Sequence, residues 1–289
     1  MLFRSGMSGA AKGDTSEGVS IDIAARLAPG DAHDEHLVPA SARFRDTSRH
    51  VRFDECDRTG RMRAAGVLRH AQDLAWLHSD LLEFSREWYA ARGVGWVVRA
   101  IDLIVDNLPG PSTPLIGTTA LVGFRHVMAR RRTRIFLLDG RVLADAAIDW
   151  VMVDAVGRPV RFPKEFEAFV EEVGASFAPT KVPSSDDDAS SQRVEIPLRV
   201  ADIDPLGHVN NAAWLELVEE ALASVAPELL AAPRRRIRLE YLGSTAATSV
   251  AFDVQHRDGS ARITAVDAAE TPLLRGVIES VSHSRHSGD

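Results

Sequence analysis

A single cysteine, Cys56, stands in the 289 residues, so no disulfide can form within the chain and no cysteine-rich zinc site can be assembled. The expectation for it is an inert, buried thiol. No run approaches the roughly 18 consecutive apolar residues of a membrane-spanning helix, and the opening MLFRSGMSGAAKGD lacks the apolar core of a secretory signal. No membrane partner is expected, and the chain is read as cytoplasmic. His-x-x-x-His spacings, clustered carboxylates and glycine-rich phosphate loops are also missing, so neither a metal nor a nucleotide cofactor is expected. Lysine is confined to Lys12, Lys164 and Lys181, and the net charge of -7 argues against nucleic acid as a partner. Arginines nevertheless crowd together at positions 130–134 and 234–238, where the first expectation is strand faces whose long stems cover apolar surface.

What is present is an ordinary globular composition, 45% hydrophobic and 26% charged, in a chain long enough for two cores. Residues 1–45, rich in Gly, Ala, Ser and Asp without periodicity, read as a tail. The segment GASFAPTKVPSSDDDASSQ, residues 174–192, has the composition of a linker. Two domains are therefore expected, 46–173 and 193–282, with 283–289 as a short second tail.

The two domains begin alike. VRFDECDRTGRMRAAGVLRHAQDLAWLH, from Val51, aligns without a gap on LRVADIDPLGHVNNAAWLELVEEALASV, from Leu198, which places Asp57 over Asp204 and Gly60 over Gly207 at an offset of 147. An internal duplication explains this most simply. Each copy reads as a short alternating strand through Val51 and Phe53 or its counterpart, a D-x-x-G turn, and a helix. In the second copy Trp214, Leu217, Val218, Ala221, Leu222 and Val225 form one apolar stripe at helical spacing. In the first copy the stripe passes through Val67, His70, Ala71, Leu74, Ala75 and His78. Four strand-like runs follow each helix. In the first half they are 95–108, 115–127, 131–140 and 141–154, with Asp139-Gly140 marking a hairpin and the proline-rich NLPGPSTP lying outside any central strand.

Polar chemistry gathers where the second helix begins, in Asp-Pro-Leu-Gly-His-Val-Asn-Asn, residues 204–211. A helix N-terminus carries unpaired N–H groups that suit a developing oxyanion, and Asp204 beside them is a candidate base or nucleophile. His208 is a candidate to orient it, and Asn210 and Asn211 to position the substrate. Helix capping by Asp204 and Asn210 is the structural alternative, and His70 and His78 are first of all core histidines. Asp57 lacks the His-Val-Asn-Asn that follows Asp204, so the first copy is read as having lost its chemistry.

These residues carry a resemblance. D-x-x-G-H-V-N-N-x-x-W resembles the active-site turn of hot-dog thioesterases, in the 4-hydroxybenzoyl-CoA and acyl-ACP thioesterase families. LRHAQDLAWLH is similar to the N-H-L-Q-E-x-A-x-x-H helix of acyl-ACP thioesterases. WVVRAIDLIVDNLP, DWVMVD and LEYLGSTAATSV resemble further segments of that family, so the likeness spans about residues 47–281. It implies an α+β tandem (double) hot-dog fold, each half a curved antiparallel sheet around a central helix, the two halves pairing as an internal pseudo-dimer within a monomer or homodimer. It also implies hydrolysis of an acyl-ACP or acyl-CoA thioester, with no cofactor beyond the pantetheine arm of the substrate. Asp204, His208, Asn210 and Asn211 match the family motif. Leu206 stands where plant-type enzymes have asparagine, and Ser244 and Thr245 where the family has Glu-Cys, which leaves them as residual catalytic candidates. His70, Gln72, His78 and Trp96 are the implied acyl-pocket residues. The arginine clusters acquire a second reading, as a surface for the acidic carrier. Two other activities remain open on the same residues: an enoyl-thioester hydratase, whose family string is D-x-N-P-x-H, and a degenerate acyl or carrier binder.

Overall fold

The computed structural model describes residues 38–184 and 190–281. The first half runs β1 (Arg43–His50), α1 (Ala64–Leu81), α2 (Arg86–Arg92), β2 (Val94–Asp106), β3 (Pro114–Arg125), β4 (Met128–Phe136), β5 (Val142–Asp154) and α3 (Glu167–Val173). The second repeats the plan with β6 (Gln192–Pro197), α4 (Asn211–Val225), α5 (Pro227–Ala231), β7 (Arg234–Tyr241), β8 (Ser249–Arg257), β9 (Ser260–Val266) and β10 (Pro272–Ser280). All ten strands belong to one antiparallel sheet, ordered β1-β3-β4-β5-β2-β7-β10-β9-β8-β6, so the halves join where β2 meets β7. The register there sets Ala100 opposite Glu240 and Asp106 opposite Arg234. Ion pairs stitch the seam, Arg236 to Asp102 at 2.5 Å and Arg99 to Glu240 at 2.8 Å.

The expected stripes of α1 and α4 are buried, Leu74 and Leu222 completely and only Val225 in part, and residues of both helices enter one continuous core. Arg69 and Glu216, equivalent under the offset of 147, meet at 3.1 Å between the two helices and mark the pseudo-twofold axis. In β7 the alternation is strict. Arg235, Ile237, Leu239 and Tyr241 face the core while the residues between them face outward. Short helices appear where the chain supplies caps: Ser85 accepts from Trp88 N–H to start α2, Gly93 ends it in the left-handed region, and Pro227 opens α5.

Several expectations change. The first strand ends at His50, and Phe53 lies in a 3-10 turn with 85% of its surface exposed, because the backbone there folds back to be capped by Glu55. Cys56 is only partly buried, and burial, with the nearby Glu55 and Asp57, pushes its thiol above the usual range. The tail read over 1–45 lies outside the described residues up to 37, whereas residues 43–45 already pair in β1.

The segment read as a linker, 174–192, is a strap over residues 174–184, and its last residue, Gln192, already pairs in β6. Ala175 accepts from Phe124 N–H, Thr180 N–H donates to Asp149 and Val182 N–H to Glu240, so it crosses from β3 to β7 on the face opposite α1. The arginine clusters are used inside the sheet. Arg130 pairs with Asp149, Arg132 and Arg134 with Asp145, and Arg238 with Glu279. No described helix is long and apolar enough to cross a membrane.

Candidate active site

The duplication extends to individual hydrogen bonds. In the first copy Cys56 and Met62 form a bridge, Asp57 N–H donates to the Arg61 carbonyl, and Gly60 takes φ of 77°. In the second copy Ile203 and Val209 form the bridge, Asp204 N–H donates to the His208 carbonyl, and Gly207 takes φ of 79°. The positive φ explains glycine at the fourth position. The aspartate at the first position folds the turn: Asp204 Oδ1 accepts from Leu206 N–H at 2.8 Å and His208 N–H at 3.2 Å, and Asp57 Oδ1 from Thr59 and Arg61 in the same way. Asp154 builds an identical turn ending at Gly157, away from either helix start. D-x-x-G is therefore a turn signature first, and its surroundings decide whether it has further use.

Those surroundings differ between the copies. In the first, the helix start is filled. Glu219 from α4 accepts from Ala64 N–H at 3.3 Å, and burial raises its carboxyl above the ordinary range against the pull of Arg235. The loop after β2 also covers this turn, the Pro109 carbonyl accepting from Met62 N–H. In the second copy the residue at the place of Glu219 is Gln72, and the turn opens into a cavity of about 610 Å³. Asp204, Pro205, Leu206 and Asn210 form its mouth, Gln72 from α1 one side, and aromatic residues of the first half, among them Trp96, the interior. That volume suits a drug-sized or lipid-sized ligand.

Asn210 is the N-cap of α4, its Oδ1 accepting from Ala212 N–H at 2.9 Å and its carbonyl from Trp214 N–H. Asp204 Oδ2 makes no hydrogen bond among the described residues and is the oxygen left to meet a ligand. The imidazole of His208 is exposed and makes no hydrogen bond with Asp204; the contact between the two runs through the His208 backbone. Asn211 begins α4 but does not line the cavity, and its carbonyl accepts from the Tyr241 hydroxyl.

The site thus brings together Asp204, Asn210, Gln72 and Trp96 and leaves out the other candidates. His70 is turned into the core, 3.2 Å from Glu55 and 3.1 Å from Arg49. His78 bonds the Ser41 carbonyl and Arg131, and burial and the adjacent guanidinium lower it to about 4, so it is neutral. Neither histidine lines the cavity, His70 being held by Arg49 and Glu55 and His78 by Ser41 and Arg131. Ser244 is exposed, and Thr245 accepts from Ala247 N–H in the loop after β7, away from the cavity. Sequence reasoning missed Arg131 and Trp150, which do line it; the arginine cluster was visible, but only the strand register shows which of its members points inward.

Known proteins agree with this architecture. The family model of the acyl-ACP thioesterase N-terminal domain matches residues 43–170, and that of the C-terminal domain residues 185–256. Among solved structures, a protein described as an oleoyl thioesterase from Lactobacillus plantarum superposes with a TM-score of 0.67 at 20% identity, over 83% of this chain and 95% of that one. An acyl-ACP thioesterase from Bacteroides thetaiotaomicron gives 0.67 at 14% identity, over 82% and 96%. The 12:0-ACP thioesterase of Umbellularia californica gives 0.67 at 18%, also over 82% and 96%. No curated protein sequence matches the chain. With the two family models together spanning more than half its length and the double hot-dog fold shared, the chain belongs to the acyl-ACP thioesterase family and is a thioester hydrolase.

Proposed function

We propose that the chain hydrolyses fatty acyl-ACP to free fatty acid and carrier thiol, with Asp204 activating the attacking water. The observation that carries this reading is the single cavity joining the Asp204 turn and the start of α4 to the aromatic interior of the first half. A thioester carbonyl at the mouth lies beside the Asn210 and Gln72 side-chain amides, and Asn210, whose Oδ1 is held by the Ala212 N–H, turns its amide N–H groups to the oxyanion. Asp204 Oδ2 takes a proton from water as the water oxygen bonds to the carbonyl carbon. The C–S bond then breaks, and the leaving thiolate recovers that proton from Asp204. Pro205 and Gly207 fix the turn that aims the carboxylate.

The acyl chain extends inward past Trp96, while the pantetheine arm leaves through the exposed lip at Leu206. Purified protein should release free thiol from acyl-ACP faster than from the matching acyl-CoA, and Asp204→Asn should cost about 10²- to 10⁴-fold in kcat. Undiminished turnover by that variant removes Asp204 from the mechanism. Loss of ultraviolet absorbance from a crotonyl thioester without thiol release reassigns the site to hydration.

A further inference from the structure

The inner wall of the cavity holds a buried cation that a plain hydrocarbon leaves without a counter-charge and an indole N–H that it leaves without an acceptor. Arg131 on β4 is 7% exposed, and Trp150 on β5 has its Nε1–H buried with no hydrogen-bond partner. The β4–β5 register places Ala129 opposite Trp150, so Arg131, two residues from Ala129, projects on the same face and diagonally adjacent to the indole. All three residues line the cavity.

The guanidinium has no counter-ion. Its Nη1 donates to His78 Nδ1 at 2.8 Å, and His78, whose other nitrogen bonds the Ser41 carbonyl at 3.0 Å, is the neutral tautomer. Its neighbours Arg130, Arg132 and Arg134 each meet a carboxylate, Asp149 or Asp145, on the facing strand. No carboxylate among the described residues pairs with Arg131. Burial lowers Arg131 to about 10, which leaves it charged at neutral pH. A buried cation and a buried orphan donor side by side are costly unless a ligand brings an acceptor.

We propose that the preferred acyl chain carries an oxygen acceptor, a hydroxyl, keto or carboxylate group, that meets Arg131 and Trp150 inside the cavity. This rests on the reading of the cavity as an acyl-thioester site. A hydroxyl or keto oxygen satisfies the donors, and a carboxylate also neutralises the charge. A site built to hydrogen-bond a substrate oxygen discriminates against the analogue lacking it far more strongly than an apolar pocket distinguishes one methylene.

The test compares acyl-ACPs of equal length, from eight to twelve carbons, that are unsubstituted, 3-hydroxy, 3-oxo or terminally carboxylated. At least one oxygenated series should exceed the unsubstituted one by about tenfold or more in kcat/KM, and the series that does so identifies the group. In Trp150→Phe, which removes the orphan N–H together with part of the indole ring, and in Arg131→Met, that ratio should fall toward one, since lost volume alone acts on both chains alike. Equal or better turnover of the unsubstituted chains by the wild type overturns the proposal, as does a ratio untouched in both variants. Trp150→Phe keeps the test open should Arg131→Met fail to fold.

Calorimetry with S-alkyl coenzyme A thioethers, with and without the chain oxygen, reads the same preference without turnover. If no thioester is hydrolysed yet the oxygenated thioether binds about tenfold tighter, the hydrolytic reading fails and the oxygen-binding site stands. If the thioethers bind alike, the site is refuted whatever the hydrolysis result.

Discussion

Asp57 and Asp204 hold the same turn in two copies of one motif, each with a single carboxylate oxygen accepting from the N–H groups two and four residues ahead. Only Asp204 borders the cavity. Substitution by asparagine keeps that acceptor oxygen and removes the base, whereas alanine removes both. Asp204→Asn should therefore lose activity with little change in melting temperature, and Asp57→Asn should retain activity within about twofold. Both alanine variants should lose about 1 kcal/mol of stability. Chemical denaturation run beside the thiol-release assay separates the two roles, and equal activity loss in both asparagine variants contradicts the division of labour.

The burial of His78 beside Arg131 makes stability depend on pH. In the folded protein burial and the guanidinium lower His78 to about 4, against about 6.5 when unfolded. The unfolded chain thus binds a proton more readily, so the stabilising contribution is complete above pH 6.5 and is lost as pH falls toward 4. The full loss is of the order of 3 kcal/mol. Urea midpoints measured between pH 7 and 4 should fall more steeply in the wild type than in His78→Gln, whose amide donates and accepts without titrating.

Gly110 seals the first-copy turn. A Cβ there would lie 2.9 Å from the Gly60 carbonyl oxygen, a backbone atom with no rotamer to retreat into. Gly110→Ala should cost about 1–3 kcal/mol. Because the loop lies over the closed turn, the loss should appear in the unfolding midpoint while KM for acyl-ACP at 25 °C is unchanged.

The strap over residues 174–184 is anchored by Asp149, whose side chain is fully buried between Arg130 and the Thr180 N–H. Asp149→Ala leaves the Arg130 guanidinium and that N–H without their carboxylate, a loss of about 3–5 kcal/mol. Limited proteolysis should cut the variant within this segment at protease concentrations that leave the wild type intact. Unchanged resistance speaks against the strap being fastened there.

Local pattern carried much of this architecture. The stripes from Val67 to His78 and from Trp214 to Leu222 are buried as their spacing predicts, with Val225 only partly so, and the four long runs of the first half are β2 to β5 within a few residues. The offset of 147 foretold the pseudo-twofold arrangement. The short helices α2, α3 and α5 escaped notice, since five to seven residues are too few to display a period. The strap escaped too, because Pro, Ser and Asp look like a linker whether or not Phe177 and Val182 find a core to enter. His208 illustrates the converse: the motif singled out its imidazole, and the fold uses its backbone.

Sequence alone determined that two copies of a strand, turn and helix unit are present and that the second retains a polar helix start, because periodicity and turn chemistry are local properties. Tertiary structure decided which helix start stays open. That choice depends on Glu219 reaching Ala64 while Gln72 borders the Asp204 turn, on Pro109 covering the first turn, and on strand register sending Arg131 and Trp150 inward. These are meetings of residues far apart in the chain, fixed by how one continuous sheet brings its halves together at β2 and β7, and no local pattern encodes them.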